Sequence, residues 1–156
     1  MRISIFQETD ARDLPLPSYT TVGASGLDLY AALREDLTLT PGARKVVPTG
    51  IRIAVPEGYE AQVRPRSGLA ARHGLGMVNA PGTIDSDYTG EIAVILINWG
   101  DTQVTLRRGD RVAQLVFAPV TRIVWEPVED EDLPETERGS RGFGHTGLRP
   151  LGEKTR

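Results

Sequence analysis

Apolar residues in this chain fall in short runs that alternate with polar ones or consist of β-branched residues, with turn residues between them. Segments 2–6, 27–32, 37–39, 45–47, 51–55, 59–63, 92–97, 104–106, 111–120 and 123–128 each carry the pattern of a β-strand. Pro41-Gly42, Pro48-Thr49-Gly50, Pro56-Glu57-Gly58, Gly100-Asp101 and Gly109-Asp110 punctuate them. Many short strands broken by Gly and Pro predict an all-β sandwich or jelly roll. Only 67–73 has a helical pattern. Ser67 is the expected N-cap and Gly74 the residue that closes the helix, which has two turns at most.

The pattern fades after Trp125. Residues 126–137 hold seven acids and no base, and 138–156 hold five bases and one acid, whereas 1–125 are balanced at 13 of each. So many charges and glycines leave too little apolar surface to offset the entropy of ordering. The expected organisation is a folded domain over 1–128 followed by a mobile arm over 129–156.

A chain of 156 residues can bury one core without covalent staples. With no cysteine it has neither disulfides nor thiolate ligands, so a metal would need oxygen or imidazole donors, and a reducing, cytoplasmic setting is expected. The most apolar run, 92–97, is far shorter than the ~20 residues of a membrane span. At a net charge of -3 the body offers no broad basic surface for stable nucleic-acid binding.

Several segments carry polar residues that a fold alone does not require. Gly82-Thr-Ile-Asp85-Ser-Asp87-Tyr88-Thr-Gly90-Glu91 sets two acids and an aromatic between glycines. It reads as a polar hairpin loop or as a site, and strand alternation would put Asp85 and Asp87 on one face and Tyr88 on the other. Arg64-Pro65-Arg66-Ser67-Gly68 presents guanidiniums, a hydroxyl and helix-start N–H groups, all donors to one anion, or else forms a solvated turn. Asp28 and Gln114 interrupt apolar strands, where an unpaired polar group costs ~1–3 kcal/mol and must be satisfied or used. Alternation sets Gln114 on one face with Val112 and Val116. The run 138–147 threads Arg138, Phe143, His145 and Thr146 through glycines. It suits either a linker or a loop that wraps a nucleotide, stacking Phe143 on a base.

The order and spacing of these segments resemble the five motifs of the trimeric dUTP pyrophosphatases, here at 24–31, 65–70, 82–92, 109–117 and 138–147. The resemblance implies a jelly-roll homotrimer with shared active sites that hydrolyses dUTP to dUMP and pyrophosphate with Mg²⁺. It implies that Asp85 activates the attacking water and that Tyr88 lies under the deoxyribose. Asn79, with backbone groups of the hairpin at Thr83 and Ile84, would read uracil. Arg66, Ser67, Gly68 and Gln114 would bind phosphates, and Asp28 would act through waters around the metal. The arm would close as a lid, with Phe143 on uracil, Arg138 and Thr146 on phosphates, and Gly144 and His145 beside them. Arg141 departs from the family pattern, which has glycine there. A related branch of the fold deaminates dCTP but carries a glutamate in the region of the third motif. A nucleotide-binding jelly roll without turnover is the other alternative.

Overall fold

The structure is a computed structural model and describes residues 1–129 and 133–142. It divides into two compact units, Met1–Thr121 and Arg122–Arg156. The first holds the strands, in chain order β1 (Ser4–Gln7), β2 (Leu27–Tyr30), β3 (Leu37–Leu39), β4 (Arg44–Pro48), β5 (Ile51–Ala54), β6 (Tyr59–Arg64), β7 (Leu75–Met77), β8 (Gly82–Ile84), β9 (Ala93–Asn98), β10 (Val104–Leu106) and β11 (Arg111–Pro119). Among the described residues a single α-helix, α1 (Ser67–His73), lies between β6 and β7, and a 3-10 turn occupies Thr9–Ala11. The fold is therefore mostly β with one short helix.

Strands pair as β2-β11-β6-β8, β4-β9-β7, β1-β5 and β10-β3, and every ladder is antiparallel. Alternation sorts the faces: β5 buries Ile51 and Ile53 and exposes Arg52 and Ala54, while β9 buries Val94, Leu96 and Asn98. These join Leu29, Leu39, Val47, Leu75, Ile92 and Val112 in one apolar core. Asn98 is fully buried and fully used. Its Nδ2 donates to Leu39 O at 2.9 Å and Thr102 O at 2.8 Å, and its Oδ1 accepts from Gly100 N at 2.9 Å.

Three expectations are corrected. Segment 123–128 forms no strand. It joins no ladder among the described residues, and Val124 and Trp125 are exposed, so its alternating pattern alone does not make a strand. Strands β7 and β8 had no alternating signal because glycine sits in each. At Gly76 the ring of Trp99 occupies the space a side chain would take. The helix begins one residue earlier than expected: Leu69 N and Ala70 N both donate to Arg66 O at 3.1 Å, so Arg66 is the N-cap and Ser67 the first helical residue, with no side-chain cap. At the other end Gly74 closes the helix in the left-handed region (φ 65) as expected.

The amino-terminal segment is tied to the body by side chains. Gln7 Nε2 donates to Ala11 O and Leu14 O, both at 2.8 Å. Arg108 pairs with Asp13 at 2.6 Å, and Arg34 with Asp10 at 2.9 Å.

Candidate functional site

Two depressions gather most of the residues singled out in the sequence between Asp28 and Gln114. The first, of about 290 Å³, is built on β8, which the ladder Ala61↔Ile84, Gln62↔Thr83 and Val63↔Gly82 fixes beside β6. The chain leaves β8 at Asp85 and turns at once, with Tyr88 N donating to Asp85 O at 3.2 Å. That turn overrides strand alternation. Asp85 and Tyr88 line one depression together with Asn79, Gly82, Thr83, Ile84 and Glu91, over a floor that includes Val63, Met77 and Ile95. Asp87 does not line it. Tyr88 Oη donates to Glu91 O at 2.8 Å, and Gly90 leaves room for the ring, since a Cβ there would stand 2.6 Å from Oη.

The second depression, of about 430 Å³, lies where β2, β11 and the turn before α1 meet. Asp28 and Gln114 face each other across the β2–β11 ladder. Asp28 Oδ1 stands 3.0 Å from Arg66 Nε and its Oδ2 stands 3.0 Å from Arg111 Nη1. Arg66 Nη1 also donates to Arg111 O at 3.0 Å. Gln114 Nε2 donates to Pro65 O at 3.0 Å, and its Oε1 rests against Gly26, where a Cβ would fall 2.5 Å from that oxygen. Ser67 and Gly68 complete the lining at the start of α1, where N–H groups have no intrahelical acceptor.

Alternation alone misplaced the surroundings of Gln114. A register shift between Arg111 and Ala113 buries both Val112 and Ala113, so Val112 leaves the face of Gln114, which is half-buried at the depression with Val116. Arg111 is the residue that sequence reasoning missed. It stands at the first position of β11, where a charge carries no signal of its own, and only its pairing with Asp28 brings it into the site. Arg64, Arg66 and Arg111 outnumber the single carboxylate of Asp28 in the depression, so its charge balance favours anions.

Among the described residues no three His, Asp or Glu side chains converge, and both oxygens of Asp28 already accept from guanidiniums. Such a donor set cannot cage a bare divalent cation. It fits Mg²⁺ that arrives with phosphate oxygens and waters already in its coordination sphere, met by Asp28 through water.

In the second unit Arg138 lies in a turn whose Gly139 has φ 53 and donates from N to Thr136 O at 3.0 Å. Arg138 Nε donates to Arg141 O at 2.8 Å, while Arg141 donates to the carbonyls of Arg138 and Glu137. The side chain of Arg141 thus closes this turn on itself. Phe143, Gly144, His145 and Thr146 lie outside the described residues.

With both depressions in view, the dUTPase family model matches residues 12–147. The chain belongs to the dUTPase family. One dUTPase relative, the deoxyuridine 5'-triphosphate nucleotidohydrolase of Ehrlichia canis (strain Jake), is 55% identical over 139 residues, covering 89% of this chain and 91% of that protein. Among solved structures, the dUTPase of Staphylococcus bacteriophage 80alpha with dUPNHPP superposes with a TM-score of 0.82 at 23% identity, over 94% of this chain and 99% of that one. A mutant dUTPase from phage phi11 of S. aureus, described for its coordination of a structural Mg(II) ion, gives 0.73 at 21% identity over 85% and 100%. At these identities the two phage enzymes establish the fold alone. No helix among the described residues of this dUTPase-family chain is long and apolar enough to cross a membrane.

Proposed function

We propose that this chain hydrolyses dUTP to dUMP and pyrophosphate, supplying dUMP for thymidylate synthesis and keeping uracil out of DNA. Asp85 orients a water molecule and takes its proton as the oxygen attacks the α-phosphorus. The bond from the α-phosphorus to the bridging oxygen breaks, and pyrophosphate leaves with the electron pair. Asn79 and the backbone of Thr83 and Ile84 read the uracil edge, and Tyr88 lies against the deoxyribose where a 2'-hydroxyl would clash. Arg66, Ser67, Gly68 and Gln114 hold the phosphates, joined by Arg111. Asp28 would hold Mg²⁺ through water, and the ion, when bound, supplies neutralisation of the triphosphate's charge. The observation that carries this reading is the placing of Asp85 and Tyr88 in one depression with Asn79 and the β8 hairpin.

A homotrimer with shared sites is the assembly we propose, and the way the two depressions divide the work supports it. Their linings have no residue in common, so one depression holds the candidate base and the other the candidate phosphate ligands. A nucleotide that needs both is best served when two copies of the chain bring the depressions together. Val46, exposed and paired with Ile95 on the β4–β9 ladder, offers apolar surface that such copies would cover. The third contribution is the arm, with Arg138, Phe143, Gly144, His145 and Thr146 closing over a neighbour's nucleotide.

The test is to incubate the purified protein with Mg²⁺ and each deoxynucleoside triphosphate, and with UTP, while following pyrophosphate and ammonia separately. Pyrophosphate from dUTP alone is the expected result. Ammonia from dCTP would replace the reading with deamination, and release of neither product would leave a nucleotide-binding protein without turnover.

A further inference from the structure

Glu91 was an acid without a role in the sequence, and its surroundings give it one. Tyr88 is 43% exposed on a loop, so packing alone does not fix its ring. What does fix it is the bond from its Oη to Glu91 O at 2.8 Å. The position of that carbonyl depends in turn on residues 49–51. Gly50 N donates to Glu91 Oε1 at 2.8 Å, Ile92 N to Ile51 O at 2.9 Å, and Thr49 to Ile92 O through both N at 3.2 Å and Oγ1 at 2.5 Å.

This anchoring turn cannot shift to follow a loosened loop. Gly50 adopts φ +68 and packs on Ala11 so closely that no Cβ fits, while Thr49 is buried. Of the four hydrogen bonds, the one from Ile92 N holds the peptide plane that contains Glu91 O, and the one to Glu91 Oε1 is the only one made by the side chain of residue 91. Without the carboxylate, Gly50 N–H is left unpaired in a partly buried place, and the carbonyl that receives Tyr88 Oη keeps its support through Ile92 N but loses the second one, on the side of residue 91.

We propose that Glu91 is a positioning residue for sugar discrimination: its carboxylate, fixed to Gly50 N–H, joins the backbone bond from Ile92 N in bracing the carbonyl that sets the tilt of Tyr88. The proposal rests on the reading that Tyr88 lies against the deoxyribose. A small displacement of an aromatic wall decides whether one added oxygen fits, because a closed site resists overpacking only while its walls stay in place. Glu91 touches no reacting atom in this scheme and acts through Tyr88.

The experiment compares kcat and KM for dUTP and UTP in the full-length protein and in Glu91→Gln, Glu91→Ala, Tyr88→Phe and Tyr88→Ala. Glu91→Gln keeps an oxygen that accepts from Gly50 N and retains the dUTP-to-UTP preference in kcat/KM. Glu91→Ala and Tyr88→Phe each lower that preference by about 10-fold. Glu91→Ala does so chiefly by lowering KM for UTP, whereas a general loss of fold would reduce both substrates together. A folded Glu91→Ala with the wild-type preference overturns the proposal, as does a Tyr88→Phe that keeps it. If Glu91→Ala does not fold, Glu91→Asp, whose shorter side chain draws the carboxylate back from Gly50 N, takes its place: a lowered preference supports the proposal and the wild-type preference overturns it. Should Tyr88→Ala also keep the preference, the sugar-gate reading itself fails.

Discussion

Asp28 binds Arg66 through Oδ1 and Nε at 3.0 Å, with only 13% of the aspartate side chain and 26% of the arginine side chain exposed. A pair so sheltered from water is weakly screened, and removing one member leaves the other without its orienting partner. Two effects then oppose each other in the anion site. Deleting a negative charge favours phosphate binding, whereas releasing Arg66 and Arg111 from their common anchor disfavours it. Orientation should win, because a guanidinium fork gains its strength from alignment.

Asp28→Asn is therefore expected to weaken binding of a non-hydrolysable dUTP analogue by about 10-fold, equivalent to ~1.4 kcal/mol. Calorimetric titration in the presence of Mg²⁺ measures this. Tighter binding in the variant would mean that Asp28 acts on the phosphates only as a repelling charge.

Asp85→Asn preserves the shape of the cleft and the turn that accepts Tyr88 N at Asp85 O, because that acceptor is a backbone atom. Turnover of dUTP should fall by ~10²–10⁴, the usual contribution of a positioned general base, with analogue affinity little changed. Asp87→Asn should have a small effect, since Asp87 does not line the cleft. Equal losses in the two variants would remove Asp85 from its assigned role.

Much of the fold could be read from the chain because its strands bury one face and expose the other. Ile51 and Ile53 against Arg52 show it plainly. The failures share a cause, which is backbone that departs from strict alternation. Glycines hid β7 and β8, the irregularity before Ala113 moved Val112 away from Gln114, and the turn after Ile84 brought Tyr88 round to Asp85. Segment 123–128 failed in the opposite sense, since it has the pattern of a strand but no ladder among the described residues. Candidate site residues were legible as residue types in order, whereas their partners were not. The Asp28–Arg111 pair joins positions that no local pattern connects.

Acid should loosen the amino-terminal segment first. The hydrogen bond from Arg34 holds the Asp10 carboxyl below the ordinary 3.8, and that from Arg108 does the same for Asp13. A carboxyl whose pKa is depressed by folding adds stability that is fully present above the unfolded value and disappears as pH falls through the folded one. The Tm difference between the wild type and an Asp10→Asn, Asp13→Asn double variant should thus be constant at neutral pH, begin to shrink as pH approaches 3.8 and vanish only once pH lies below the depressed folded-state values. These pairs are exposed, so the difference should amount to a few degrees at most and shrink in high salt. A difference that persisted unchanged into acid would assign the effect to something other than charge.

Removal of residues 138–156 tests the arm separately from the cleft. The strands end at Pro119, so every ladder and both depressions survive the deletion. What is lost is Arg138, Phe143, His145 and Thr146, a set able to stack on a base and to meet phosphates. Base stacking on an aromatic contributes ~1–3 kcal/mol, and the glycines at 139, 142, 144 and 147 give the backbone the freedom to bring such groups onto a ligand. Closure that excludes water and aligns the triphosphate acts on the chemical step as well as on affinity. The truncated protein should therefore keep its circular dichroism, its Tm and its oligomeric mass, while kcat/KM for dUTP falls by about 10²-fold or more. A Phe143→Ala variant should lose about 10-fold of this by itself, the share due to stacking. Turnover by the truncated protein at the full-length rate would show that the two depressions suffice and that the arm serves some other purpose.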